Sequence, residues 1–182
     1  VILATDSRFS SHQLNSFLLG KYPRNIFRIG SRSLLGCIGL EADSYILVER
    51  LKSLLANHFD DEINPDNIAR LVATLLYENG FYLTTIVTGL SKTGDPYICS
   101  FDGLGAQTTT KDFAVIGTSN AALLSLMESN YEPNLSAERL CALAEKCLKL
   151  AFQRDILSGS DLRIVTLRRD GIYQKSVSLT DV

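Results

Sequence analysis

The sequence predicts an α+β fold built on antiparallel sheets. Strand-like and helix-like segments come in groups, in the order strands, two helices, strands, two helices, strands, rather than alternating one by one. Turn clusters such as Ser91-Lys92-Thr93-Gly94-Asp95-Pro96 and Asp170-Gly171 join neighbouring strands, as hairpins require. Helix pairs from the two halves of the chain are expected to cover two stacked sheets on their outer faces. Hydrophobic residues make up 46% and charged residues 21% of the chain, ordinary globular usage that excludes disorder.

Val1-Ile2-Leu3-Ala4-Thr5 is apolar and rich in β-branched residues, and reads as a buried strand already under way. Its partner is expected upstream of Val1, so the chain is expected to lack its true N-terminus. No basic segment or cleavage site marks a signal peptide. Residues 6–24 read as polar and irregular, with a second extended stretch through 13–19. Residues 26–39 read as two short strands broken at Gly30.

The period then changes. Asp43 or Ser44 is expected to cap a helix whose apolar face is Ile46, Leu47, Leu51, Leu54 and Leu55. Asp60-Asp61-Glu62 reads as an exposed acidic turn. Asn64-Pro65 starts a second helix, with Asn as N-cap and Pro at the first helical position, where a missing N–H costs nothing. Ile68, Leu71, Val72, Leu75 and Leu76 form its inner face, and Gly80 ends it. Residues 81–90 and 97–104 read as strands, and 113–116 as a short buried strand ending at Gly117. Residues 121–128 form a short helix. Ser136 opens a long one, with Leu140, Leu143, Cys147 and Ala151 on one face. Residues 162–167 and 172–179 flank the Asp170-Gly171 hairpin signal.

The 182 residues suit one domain, large enough to bury ~70% of its unfolded surface. Eighteen basic and twenty acidic residues leave a net charge of -2, with no positive excess to neutralise phosphates, so nucleic-acid binding is not expected. No apolar run approaches the ~20 residues that span a bilayer. Cys37, Cys99, Cys141 and Cys147 lie in apolar stretches and read as free thiols of a reducing compartment.

Familiar chemistries fail one by one. His12 and His58 are far apart, and Cys141 and Cys147 fall on different faces of one helix, so no metal site is expected. Gly89-Leu90-Ser91-Lys92-Thr93-Gly94 has Ser, not Gly, before its lysine and joins two strands, so it is a turn rather than a phosphate loop. No Gly-x-Ser-x-Gly elbow supports a serine nucleophile. Asn134-Leu135-Ser136 has the form of a glycosylation sequon but reads as a helix start. What remains are polar clusters at element ends: Asp6-Ser7-Arg8, Gly117-Thr118-Ser119 and Arg154-Asp155-Ile156-Leu157-Ser158-Gly159.

Together these clusters resemble the proteasome β subunits, over the whole of residues 1–182 as a single β-type domain. Ala4-Thr5-Asp6-Ser7-Arg8 is similar to the family's Ala-x-Asp-x-Arg segment. Gly36-Cys37-Ile38-Gly39-Leu40-Glu41-Ala42-Asp43 is similar to its Gly-rich strand running into the first helix. Arg154-Asp155 with Ser158-Gly159 is similar to its Arg-Asp-x-x-Ser-Gly. One eukaryotic subunit type is most alike, on Asn25-Ile26-Phe27, Leu75-Leu76-Tyr77-Glu78, Ile98-Cys99-Ser100-Phe101-Asp102 and Tyr131-Glu132-Pro133-Asn134. The resemblance implies the four-layer αββα sandwich of N-terminal-nucleophile hydrolases.

Active members of that family use an N-terminal threonine, with its own amine as base and a lysine charge that eases deprotonation. By position the orienting aspartate is Asp6, the supporting hydroxyls are Thr118 and Ser158, and the second aspartate is Asp155. The lysine position falls on Asn25, or on Lys21 if the alignment slips across 16–23. A neutral amide supplies no charge. The resemblance therefore implies a non-catalytic subunit of a seven-membered β ring, partnered by other α and β subunits, with no cofactor or metal. It would meet polypeptide substrates only indirectly, in ubiquitin-dependent degradation in cytoplasm and nucleus. An active threonine peptidase whose nucleophile precedes Val1 is the competing reading, and a binding module of unknown ligand the third. Asp102 is implied to border the substrate pocket of a trypsin-like neighbour, or simply to start a turn with Gly103.

Overall fold

The computed structural model describes residues 1–11, 17–21, 25–56 and 63–178, with side chains at 1–8, 25–56 and 63–178. His12, His58, the acidic run 60–62 and the first part of the expected 13–19 stretch lie outside these. The strands are β1 (Ile2–Asp6), β2 (Arg8–Ser11), β3 (Phe17–Lys21), β4 (Ile26–Ile29), β5 (Ser33–Gly39), β6 (Leu83–Leu90), β7 (Pro96–Phe101), β8 (Gln107–Thr110), β9 (Asp161–Arg168) and β10 (Gly171–Ser178). The helices are α1 (Glu41–Leu55), α2 (Pro65–Asn79), α3 (Asn120–Asn130) and α4 (Ala137–Arg154). The ladders β1–β9, β2–β3, β4–β5, β5–β6, β6–β7 and β7–β8 are antiparallel, in a three-stranded sheet ordered β1-β9-β10, a β2-β3 hairpin and a five-stranded sheet ordered β4-β5-β6-β7-β8.

Two compact units interleave along the chain. The first holds Asn25–Ile116 with Leu167–Gly171 and Val1; the second holds Ile2–Arg24, Gly117–Thr166 and Ile172–Val182. In the first unit, α1 packs on β5 and α2 packs on β6 and β7. Leu35, Cys37, Val87, Cys99 and Phe101 on the sheet meet Leu47, Val48, Leu51, Ile68, Val72 and Leu76 on the helices, all of them buried. Pairing of Leu35 with Val87, and of Val87 with Cys99, puts these side chains in one row across the sheet. Thr85 lies in the adjacent row and is fully buried with them.

In the second unit, α4 packs on β1 and α3 packs on α4. Leu143, Cys147 and Ala151 recur along the buried side of α4 at helical spacing, while Leu162 and Ile164 are buried on β9. Ser136 caps α4 as expected, its hydroxyl accepting from the Arg139 amide at 3.3 Å. Leu140, the first residue expected on that face, is only half-buried.

Several expectations are corrected. Residues 6–24 are more regular than read: besides β3, which overlaps the expected extended stretch, they supply β2, and the two pair as a hairpin. Helix α1 starts at Glu41, two residues before Asp43, with no side-chain cap. Its start is pinned from outside. The Leu40 amide donates to the Tyr82 carbonyl at 3.0 Å, and Asp43 is turned away to accept from the Tyr82 amide at 2.8 Å. Its inner face is Leu47, Val48 and Leu51, whereas Ile46 and Leu54 remain 45% and 50% exposed. Helix α2 follows the expectation more closely: Pro65 opens it and Gly80 ends it in the left-handed conformation at φ 60°. The Asn64 side chain, however, accepts from the Lys92 amide instead of capping the helix.

Residues 113–116 are half-buried but form no strand. The edge position beside β7 is taken instead by β8, an exposed Gln-Thr-Thr-Thr segment without the apolar signal of a buried strand. The second and last hairpins also shift. β7 ends at Phe101 rather than 104, and the β9–β10 loop is Arg169-Asp170, with Gly171 opening β10.

Candidate functional site

Four of the sequence-predicted positions, Asp6, Thr118, Asp155 and Ser158, lie together in the second unit. Asp155 follows the last residue of α4, its amide still bonded to the Ala151 carbonyl at 2.8 Å, so its carboxylate is held at a rigid helix end. Three hydroxyls converge on Oδ2. Thr118 donates to it, Ser119 donates at 2.8 Å and Ser158 at 2.9 Å, while Oδ1 accepts from the Leu157 amide at 2.9 Å. One carboxylate thus ties the turn before α3 to the loop after α4.

Asp6 ends β1 and makes the second tie. Its Oδ2 accepts from the Gly159 amide at 2.8 Å, and the next residue, Ser7, accepts from the Asp161 amide through Oγ at 2.9 Å. Arg8 completes the clasp, its Nη1 donating to the Ser158 carbonyl at 3.4 Å. Gly159 has φ 155°, and a Cβ there would stand 3.1 Å from the Arg8 guanidinium, so this loop residue is close-packed as well as conformationally special.

The two carboxyls titrate in opposite directions. Burial pushes Asp6 up to about 6; amides of Gly159, Asp6 and Arg8 pull it down, and the nearby Asp155 charge pushes it further up. Burial also pushes Asp155 upward, but the bonds from Thr118, Leu157, Ser119 and Ser158 outweigh it and bring the group down to about 2. A carboxylate at about 2 is a weak base at neutral pH and would take little of a hydroxyl proton. The chemistry of this cluster is attachment: it satisfies loop amides and hydroxyls.

The remaining positions lie elsewhere. Asn25 is in the first unit, just before β4, and its carbonyl accepts from the Cys37 amide at 2.8 Å. Lys21 lies in β3, opposite Arg8 in the hairpin register. Asp102 starts a tight turn after β7, Oδ1 accepting from the Leu104 and Ala106 amides, both at 2.9 Å. The turn reading of Asp102 accounts for these bonds. Sequence reasoning missed Ser119 as a partner of Asp155 and Ser7 as a partner of Asp161. Both stood in the clusters picked out from sequence, but neither pairing is local. Among the described residues, no group of three His, Cys, Asp or Glu side chains is placed to hold a metal ion.

The family described as "Proteasome subunit" matches residues 1–167. Among curated proteins, the chain is similar to proteasome subunit beta type-3 of Saccharomyces cerevisiae, 33% identical over 186 residues that cover 98% of this chain and 89% of the relative. It is similar to proteasome subunit beta type-3 of Drosophila melanogaster, 29% identical over 184 residues, with 97% and 88% covered. The protein of the same name in Oryza sativa subsp. japonica is 33% identical over 142 residues, with 75% and 70% covered. The matched family carries the N-terminal-nucleophile hydrolase fold, and the antiparallel sheets and four helices above are of its α+β class. By the extent of that match, the chain belongs to the proteasome subunit family.

Proposed function

We propose that this chain is a non-catalytic β subunit of a proteasome core particle, holding a place in a β ring beside other α and β subunits. One feature of the sequence carries the reading: by the resemblance, the position where active members need a lysine falls on Asn25, whose neutral amide supplies no charge to a threonine hydroxyl. The cluster supports it, since Asp6 is engaged by the Gly159 amide and Asp155 by three hydroxyls and an amide. These residues brace loops in a fold inherited from an enzyme. The relatives named beta type-3 point the same way. The subunit would act in ubiquitin-dependent protein degradation in cytoplasm and nucleus, meeting polypeptide substrates only through its neighbours and using no cofactor.

The test is covalent labelling of the purified assembly with an epoxyketone that traps N-terminal threonines, read subunit by subunit by mass spectrometry. The expected result is label on other β subunits and none on this chain. Label on a threonine of this chain would overturn the reading and establish an active peptidase. Asp102 gives a second test, at the neighbour. If its charge borders a trypsin-like pocket, Asp102→Asn lowers only the trypsin-like rate of the assembly, by a few-fold. An unchanged rate leaves Asp102 as the start of its turn.

A further inference from the structure

Asn79 is the only asparagine of the chain followed by glycine, and the Asn79-Gly80 pair closes α2. Such a pair is chemically open to deamidation, because glycine has no side chain to shield its backbone nitrogen from the neighbouring side-chain amide. The reaction is internal. The Gly80 nitrogen bonds to Asn79 Cγ, the Cγ–Nδ2 bond breaks, and ammonia leaves with the proton that the Gly80 amide gave up. Water then opens the resulting succinimide at either of its carbonyls, leaving aspartate or isoaspartate. The reaction needs a free Gly80 N–H and an Asn79 side chain turned forward along the chain.

The fold denies both. The Gly80 amide is engaged, donating to the Leu76 carbonyl at 3.1 Å. Asn79 is the last helical residue, and in a helix the Cα–Cβ bond leans back toward the N-terminus, away from the next amide. Its side chain is then held at both ends. Nδ2 donates to the Leu75 carbonyl, four residues back, at 2.8 Å, and Oδ1 accepts from Arg50 Nη1. Arg50 comes from α1, and its guanidinium also lies 5.8 Å from the centre of the buried Phe81 ring. One side chain of α1 thus pins the residues before and after Gly80. A donor on Oδ1 polarises the amide carbonyl, but with no nucleophile in reach that polarisation is idle. Gly80 itself is exposed, and a Cβ on it would meet nothing within 4 Å. Conformation and hydrogen bonding, rather than packing, hold the reaction back.

We propose that Asn79-Gly80 is a modification site gated by the fold: it stays closed while Arg50 ties α1 to the end of α2, and it deamidates in chains where that tie has opened. Either product keeps the end from closing as before. An aspartate side chain has no donor for the Leu75 carbonyl, and isoaspartate adds a methylene to the backbone at the Gly80–Leu76 bond. The mark is therefore lasting, and it sits beside the buried Leu75, Leu76 and Phe81.

The test is mass spectrometry of peptides spanning residue 79 after timed incubation of the assembly in mildly alkaline buffer. Electron-transfer fragmentation tells isoaspartate from aspartate. Conversion in the urea-unfolded chain is expected to outpace the native assembly about ten-fold or more, as for any reaction that requires local opening. Native Arg50→Gln should convert several-fold faster than native wild type, with Arg50→Lys, which keeps one donor, in between. Equal rates in native and unfolded chain would overturn the proposal, as would equal native rates for wild type and Arg50→Gln. Because Arg50→Gln also removes the contact with Phe81, urea midpoints are measured alongside. A faster rate fully matched by a larger unfolded fraction would overturn the gate, since global unfolding would then account for it.

Discussion

Asp6 and Asp155 show how two carboxyls of one cluster can oppose each other in their effect on stability. Asp155, lowered to about 2, favours the folded chain above its ordinary value of 3.8, and that contribution fades as pH falls from about 4 toward 2. Asp6, raised to about 6, binds a proton more tightly folded than unfolded. Its contribution is therefore largest below 3.8 and is lost as pH rises from about 4 to 6. The expected outcome is a stability maximum near pH 4 from this pair. Chemical-denaturation midpoints measured against pH should lose the falling limb in Asp6→Asn and the rising limb in Asp155→Asn. Parallel curves for wild type and Asp6→Asn would mean that the Asp6 carboxyl is not buried as described. The residues of this cluster were legible in sequence as caps and turns. Their mutual bonds were not, because Asp6 and Gly159, or Thr118 and Asp155, are brought together only by folding.

At the scale of elements, α1 is the sharpest case. The periodicity of Ile46, Leu47, Leu51, Leu54 and Leu55 marks a helix correctly but leaves its rotation open by about one residue, since each residue turns the face by roughly 100°. Leu40, bonded to the Tyr82 carbonyl, sets that rotation and buries Leu47, Val48 and Leu51. Leu47→Ala should cost about 2–5 kcal/mol, while Ile46→Ala should stay within about 0.5 kcal/mol in the unassembled chain. Urea unfolding of the two variants decides it, and equal losses would restore the face read from sequence. Gly39 makes the same junction intolerant of change. Its φ is 133°, and a Cβ would fall 2.2 Å from the Tyr82 carbonyl oxygen. Helix α4 needed no such correction at its start, because Ser136 acts through the adjacent backbone alone, and α2 opens at Pro65 as read although Asn64 does not cap it.

Across the whole molecule, the four cysteines report how far burial extends. Cys37 and Cys99 are 2% and 0% exposed, Cys147 is buried on α4, and Cys141 is half-buried. Burial pushes the Cys37 thiol up to about 12 and raises Cys147 as well, so neither offers much thiolate at neutral pH. Alkylation of the native chain followed by mass spectrometry should modify Cys141 first. Cys37 and Cys99 should react only on unfolding; early modification of either would contradict the core described here. Large apolar side chains also remain outward on the first unit, among them Leu40, Tyr77, Tyr82 and Leu104, at 54%, 78%, 83% and 73% exposure. Surfaces of this kind are covered in assemblies.

Legible along the chain were the grouping of strands and helices, the first residues of α2 and α4, the stop at Gly80 and the motifs of the proteasome family. Each of these is written in residues close together along the chain, through period, cap, turn or spacing. Tertiary structure alone decided the rotation of α1, the choice of 107–110 over 113–116 as the edge strand, and the cross-ties that gather Asp6, Thr118, Ser119, Asp155 and Ser158. The physical reason is common to all three. A backbone amide or a carboxylate is satisfied by whichever partner the fold brings within about 3 Å, and that partner can lie more than a hundred residues away.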